Sequence, residues 1–322
     1  MAPKRKAVGE EVRPPLPCAW KPSAVEEKDL VKMHQRGLLP SKDLVNWTPG
    51  KPHKVPLDPV DMIVVFMQFF NCGFGVPAGD FFRGLLFFYG LEVHHLNPNS
   101  ILQISIFIHL CEAFLGISPH WALFRYLYQC KAFPSKTNPA VVGGAGLVLR
   151  GGRREEYFQI PLYESNKGWH SDWFFIANPP PQLPNKSNQV PIWKDEWRNL
   201  PDASDMDQVK ELLVLIDEQK KAGLTAAGIV ISFCRRRLQP IKERCHPAYE
   251  YSGRNDPTRE SSDPADIAEV VDRISAFFSG GFSNVGCPQA YSLLNPAPLV
   301  SYVYVNCRYY VQIYEPVGLS RK

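Results

Sequence analysis

The chain has 322 residues, of which 45% are hydrophobic, and its 36 Lys and Arg against 32 Asp and Glu give a net charge of +4. This balance is typical of a globular protein with a sizeable core, and it excludes a largely disordered chain, a collagen and a small disulfide scaffold. The net charge is too small to predict a polyanionic partner unless the basic residues are clustered.

The first 25 residues are predicted to be disordered, because Pro and charged residues dominate them and no apolar periodicity is present. Basic residues at Lys4-Arg5-Lys6 follow Met1 where a secretory signal would have an apolar stretch. The uncharged runs farther along are interrupted by Gly, Asn and Pro, so none predicts a membrane span. We therefore expect a nuclear or cytoplasmic protein that is not secreted and has no membrane partner.

The first helix is predicted over residues 26–39. Residues 63–70 form a β-branched and aromatic run that is typical of a buried strand. A helix is predicted to follow over residues 77–89 and to end at Gly90. Its aromatic side chains recur at helical spacing, and we expect them to fill a core. The core positions predicted in this helix are Phe81, Phe82, Leu85 and Phe88.

A central helix is predicted to begin after Asn97, because Asn-Pro-Asn-Ser is a helix start signal, and to end at Gly116. It is apolar on almost every side, so we expect it to be buried. The next helix is predicted to begin at Ser118, with Pro119 at its first position, and to continue to Tyr128. Residues 100–130 thus predict two packed helices joined by a tight turn.

Three short runs over residues 147–149, 157–160 and 173–176 favour strands, and together they predict a small antiparallel sheet. The Pro-rich stretch at 179–202 is the best candidate for an internal boundary. Beyond it, Ser204 and Asp207 have the spacing of a capping box.

Further helices are predicted from about residue 204 to Gly223, from Thr225 onward, and over residues 265–278. The predicted fold class is α+β, predominantly α-helical, with a small antiparallel β-sheet in the middle and a disordered N-terminus. The predicted divisions are a disordered segment (1–25), a helical region with the small sheet (26–178), a Pro-rich linker (179–202), a helical basic region (203–298) and an atypical tail (299–322).

No pattern predicts a catalytic residue, a cofactor, a bound metal or a small-molecule substrate. The glycine-rich loop at residues 143–146 lacks the spacing of a phosphate or dinucleotide site and leads into a strand. His94, His95, His109 and Cys111 lie near one another in sequence. Positions 109 and 111 do not share a helix face, so structural histidines are favoured over zinc ligands. Signatures of α/β-hydrolases, zinc proteases and kinases are absent.

The sharpest positive feature is a cluster of five cations in ten residues: Arg235, Arg236, Arg237, Lys242 and Arg244. Two predicted helices joined by Ala222-Gly223-Leu224 resemble a helix–turn–helix, and arginine clusters neutralise phosphates. The cluster therefore predicts contact with DNA or RNA. The alternative is that these cations interact with the helix dipole and with nearby carboxylates.

Several ordered strings resemble the gypsy-type transposon (or transposase) domain family of plants. They are residues 96–100 and 109–116, 141–146, 166–170, and above all 235–244 followed by 246–248 and 256–259. The resemblance extends from about residue 30 to about residue 298. The tail after residue 298 departs from the pattern.

The resemblance implies a protein derived from a transposable element and supplies no catalytic residues. Our leading hypothesis is a non-catalytic, gag-like module that acts by nucleic-acid contact, self-association or both. The first alternative is a transposase-type enzyme or its DNA-binding accessory subunit, whose carboxylates would converge on metal ions. The second is a degenerate element fragment without function.

Overall fold

The computed structural model describes residues 20–57, 61–160, 162, 168–185 and 189–234. Most of the predicted disordered N-terminus, the predicted helix at 265–278 and the tail lie outside these residues. Within them the chain forms seven α-helices and five short strands, an α+β arrangement in which helix predominates.

The elements follow one another along the chain with short strands between groups of helices. In order they are α1 (Glu27–Gln35), β1 (Trp47–Pro49), β2 (Met62–Phe66), α2 (Met67–Asn71), α3 (Asp80–Tyr89), α4 (Pro98–His109), α5 (Trp121–Leu127), β3 (Tyr128–Ala132), β4 (Ala145–Leu149), β5 (Trp173–Ala177), α6 (Met206–Lys221) and α7 (Ala226–Phe233).

The strands form two small antiparallel sheets, whereas the sequence predicted one. The first has the order β1-β5-β2, and the second pairs β3 with β4. The predicted strand at 157–160 is wrong. Tyr157 and Phe158 are buried there without pairing, and the Tyr157 ring lies 5.8 Å from that of Tyr128. Apolar runs of this length indicate burial without fixing the backbone conformation.

The predicted strand at residues 63–70 is only half right, because β2 passes directly into α2 after Phe66. The backbone N–H of Met67 still donates to the Asp172 carbonyl at 2.9 Å, and the helix begins there. Phe69 and Phe70 of α2 are as buried as the strand residues before them. A continuous apolar run that is buried throughout carries no period from which this change could be seen.

The central helix is confirmed. The Asn97 side chain caps α4 by accepting a hydrogen bond from the Ser100 N–H at 2.9 Å. The helix continues as a π-helical segment, Leu110–Leu115, and ends at Gly116, whose φ of 65° is left-handed. Among the described residues, one helical span is long and apolar enough to cross a membrane. It is Pro98–Leu115, and 72% of it is buried inside the protein. Such burial is what the core helix of a folded domain shows.

Two predicted helix starts differ from the structure, and one is confirmed. The N-cap of α5 is His120, which accepts from the Leu123 N–H, so the predicted start at Ser118 is two residues early. The predicted Ser204–Asp207 capping box is absent, and a 3₁₀ turn leads into α6 instead. Thr225 caps α7 as predicted, since its hydroxyl accepts from the Gly228 N–H at 3.1 Å.

The Pro-rich stretch before α6 is anchored to the helical core by several hydrogen bonds. Trp197 is 1% exposed, and its indole N–H donates to the carbonyl of Tyr89 at 2.9 Å. The Arg150 guanidinium donates to the carbonyls of Arg198 and Asn199, each at 3.0 Å. These contacts position the neighbouring face of α3.

Candidate interaction groove

An open groove of about 980 Å³ is lined by α3, α4 and the segment after it, the start of α5, α7, the turn between α2 and α3, and Pro180–Pro181. The side chains that form much of its surface are Phe74, Phe81, Ile104, Ile108, Trp121 and Phe233. The volume is at the upper end of the range of ligand pockets, roughly 300–1,000 Å³. Its lining combines aromatic and aliphatic side chains with polar groups such as Arg83 and Glu112, and its open form suits an extended polypeptide better than a small molecule.

The turn before α3 fits tightly against the two helices beneath it. Gly73 has a φ of +98°, and a Cβ at this position would lie 2.7 Å from the Ser105 Oγ and 2.8 Å from the Phe233 Cζ. Both the left-handed backbone and the close approach require glycine. The turn therefore holds α4 and α7 together along one side of the groove.

The outer face of α3 carries the most exposed aromatic side chain of the described residues. Phe87 is 85% exposed and lines the groove. Phe88 is 37% exposed, and its ring lies 4.9 Å both from the ring of Trp121 and from the guanidinium carbon of Arg125. The prediction that Phe88 fills the core is therefore wrong, because it covers the rim of the groove instead.

A glycine in the middle of α3 widens the groove. Gly84 is exposed, and apart from its own helix backbone no described atom lies within 4 Å of a Cβ built there. Glycine inside a helix costs about 1 kcal/mol relative to alanine. Among the described residues, no close contact explains why glycine rather than alanine stands at position 84.

Charge at the rim is compensated locally. The Arg83 guanidinium forms an ion pair with Asp80 and donates to the carbonyl of Ala78 at 2.7 Å. Asp80 and Arg83 therefore neutralise each other one turn apart, and Glu112 adds a further carboxyl group to the lining. An exposed pair of this kind contributes little to stability, typically 0–1 kcal/mol.

A cluster of possible metal ligands lies elsewhere, in the 3₁₀ turn that follows α3. The ligand atoms of Glu92, His94 and His95 lie within 4.8 Å of one another, and all three residues are buried. His95 already uses both ring nitrogens, because Nδ1 accepts from the Glu92 N–H at 3.0 Å and Nε2 donates to the Gln189 carbonyl at 2.9 Å. Zinc needs three or four free ligands, so the arrangement favours the structural histidines that the sequence predicted.

Burial keeps both histidines neutral. It lowers the pKa of His95 to about 4, and it lowers the pKa of His94 well below its ordinary value of 6.5, with the neighbouring His95 adding to the effect. The two rings pack 4.3 Å apart between their centroids. These are properties of a packed and hydrogen-bonded turn.

A second pair resembles a catalytic arrangement but is enclosed. The Nε2 of His109 lies 2.6 Å from the Oγ of Ser232, and the residues are 0% and 4% exposed. A nucleophile and base of this kind must reach a substrate. The pair instead joins α4 to α7 beneath the groove.

The residues predicted to contact nucleic acid lie outside the described residues: Arg235, Arg236, Arg237, Lys242 and Arg244. The fold places the preceding helix, α7, in the groove wall through Phe233. The predicted contact with DNA or RNA therefore stays a prediction.

A comparison with known families matches the part of the chain that supplies most of the residues lining the groove. Residues 63–132, from β2 to β3, match the family model described as "Putative gypsy type transposon". The predicted resemblance to a gypsy-type transposon domain is confirmed over these residues, whereas the assignment to plants stays a prediction. The match contains α3, α4 and Trp121, whereas the resembling strings after residue 132 lie outside it. No curated protein and no solved structure matches the chain.

Sequence reasoning missed the groove, although it contained a signal. The sequence of α3 has large apolar residues on every side, yet the helix has only ten residues and one glycine at its centre. A helix that is apolar all round is either fully buried or presents one face to another partner. Consecutive Phe87 and Phe88 could have been recognised as such a face.

Proposed function

We propose that this transposable-element-derived protein is non-catalytic and acts as an assembly module whose groove binds an apolar polypeptide segment. The observation that carries the proposal is the 85% exposure of Phe87 beside an apolar groove of about 980 Å³. Exposed apolar patches of this kind mark protein-binding surfaces, and aromatic residues dominate the binding energy of such surfaces.

The buried chemical groups support the same proposal. His94, His95 and the His109–Ser232 pair, which most resemble metal-binding or catalytic groups, are enclosed and engaged in packing. By contrast, the groove offers an accessible surface within the segment that matches the family. Self-association through this surface is the gag-like activity that the geometry favours.

The test is the mass of the full chain as a function of concentration, measured by sedimentation. We expect concentration-dependent association that Phe87→Asp weakens at least about tenfold, which corresponds to about 1.4 kcal/mol. Val214→Asp is the matched control, because Val214 is apolar and 57% exposed on α6 and does not line the groove. If the wild-type chain stays monomeric at every concentration, self-association is refuted.

Nucleic-acid contact is a second candidate, favoured by the five cations between residues 235 and 244. The full chain would be titrated with duplex DNA and single-stranded RNA at two salt concentrations. Replacement of Arg235, Arg236 and Arg237 by alanine is expected to reduce the salt slope, by about 0.9 for each duplex phosphate no longer neutralised. Unchanged affinity and slope would refute this contact.

A further inference from the structure

We propose that residues 265–278 of the same chain dock in the groove as an amphipathic helix and so control its availability. The inference rests on the proposed function of the groove as a binding site for a polypeptide segment. It adds the identity of the occupant, which competes there with a second copy of the protein.

The described chain ends at the groove itself. Phe233 lines it, and Cys234 is the last described residue. Another 88 residues, 235–322, follow this point. The rest of the chain therefore starts beside a groove that the described residues leave open, and it is covalently joined to the wall of that groove.

Residues 265–278 have the pattern that such a surface requires. Ile267, Val270, Val271, Ile274 and Phe278 recur at the spacing of one helix face. Asp263 and Pro264 precede them as an N-cap residue and a first-turn proline.

The dimensions of this segment also suit the groove. A helix of this length would span about 21 Å, and α3, which forms one wall, spans about 15 Å. The apolar face of the segment is therefore long enough to cover the aromatic face of α3 from end to end.

A covalently joined segment has an advantage over a second copy of the protein. The intervening residues 235–264 can extend up to about 100 Å, far beyond the length of either helix. A covalent connection of this length can give an effective concentration in the millimolar range, and the entropic cost of closing a loop grows only slowly with its length. In dilute solution docking within one chain therefore dominates over association.

Gly84 is consistent with a helix lying across α3. Within the described residues its missing side chain serves no packing contact, yet it opens the groove wall between Asp80 and Phe87. Small residues allow two helices to approach each other closely. A docked helix would supply the neighbour that this position otherwise lacks.

The experiment is hydroxyl-radical labelling of Phe87 in the full chain, at concentrations above and below any self-association. Val271→Asp places a charge on the apolar face of the segment, and Ala276→Asp is the control, because it places the same charge on the opposite face. We expect Phe87 to be labelled about fivefold faster in Val271→Asp than in the wild type or the control, since docking buries a side chain that is otherwise 85% exposed. Phe133, which is 37% exposed and outside the groove, serves as the internal reference, and near-ultraviolet circular dichroism verifies the fold.

Equal labelling of Phe87 in the wild type and in Val271→Asp would overturn the inference, whether the residue is protected or exposed in both. Protection that disappears on dilution would also overturn it, but would assign the groove to a second copy and leave the proposed function standing. A third outcome would support the inference and refute self-association. In that outcome Phe87 is protected at every concentration, Val271→Asp removes the protection, and the wild-type chain never associates.

Discussion

The inner face of α3 is covered by described residues, whereas the outer face, which carries Phe87 beside the Asp80–Arg83 ion pair, is open to the groove. On the inner face Leu85 and Leu86 are fully buried, and Tyr89 receives the indole hydrogen bond of Trp197 at its carbonyl. On the outer face Phe87 is 85% exposed, and a Cβ at Gly84 would meet no described atom outside its own helix. The same ten-residue helix therefore serves as a core element and as a binding surface, and hydrophobicity alone does not distinguish these roles.

The largest expected effect is a loss of stability, and it compares a substitution on the covered face of α3 with one on the open face. Leu85→Ala is expected to lower the free energy of unfolding by about 2–5 kcal/mol, because it leaves a cavity at a site with no solvent exposure. Phe87→Ala removes more atoms but is expected to change stability by less than about 0.5 kcal/mol. Urea denaturation of both variants measures the difference. A loss of several kcal/mol in Phe87→Ala would show that the outer face is also part of the folded core.

The turn at one side of the groove gives the next largest effect. Gly73→Ala is expected to cost about 2–4 kcal/mol, because alanine is strained at a φ of +98° and its Cβ would displace Ser105 and Phe233. The melting temperature and the urea midpoint both measure this loss. Gly37→Ala is the control for backbone strain alone, since Gly37 has a φ of +70° and nothing within 4 Å of a Cβ. Equal losses in the two variants would show that close packing at Gly73 contributes nothing.

The 3₁₀ turn that follows α3 contains His94 and His95, and their burial predicts that the stability of the fold depends on pH. The pKa of His95 is about 4 in the folded chain, below its ordinary value of 6.5, so the unfolded state binds a proton that the folded state does not. The contribution of neutral His95 to the free energy of unfolding is therefore fully present above pH 6.5, and it is lost as the pH falls toward 4. Between pH 7 and pH 5 this one group is expected to remove about 2 kcal/mol. Urea unfolding of wild type and His95→Gln at both pH values measures it, and an identical pH slope in the two proteins would contradict the assignment.

Local features of the fold were predictable from the sequence because their causes are local. Asn97 and Thr225 cap helices through their own side chains, and Gly90 and Gly116 end helices in the left-handed conformation. The buried character of α4 followed from a sequence that is apolar on almost every side.

The sheets and the groove depend on contacts between distant parts of the chain. Trp47 pairs with Ile176, and neither strand contains information about its partner. The preference for structural histidines rested on the spacing of His109 and Cys111, whereas the hydrogen bond between His95 and Gln189 spans 94 positions. Which aromatic residues of α3 face outward depended likewise on where Trp197 packs, and this could not be deduced from the helix alone.

The smallest effect has the opposite sign and separates the two faces most directly. In the Val271→Asp chain, whose segment 265–278 is not docked, Gly84→Ala is expected to raise the free energy of unfolding by about 0.5–1 kcal/mol, because alanine favours the helix and its Cβ meets no described atom. The larger side chain of Gly84→Leu is expected to retain most of this gain while filling the opening in the groove wall. Calorimetric melting measures the stability, and labelling of Phe87 measures whether the groove is still covered. In the otherwise wild-type chain Gly84→Ala is expected to lose this gain or to destabilise, because a docked helix makes an added methyl group costly at this position. The sign of this one change therefore distinguishes an open groove from a groove that is filled in the native protein.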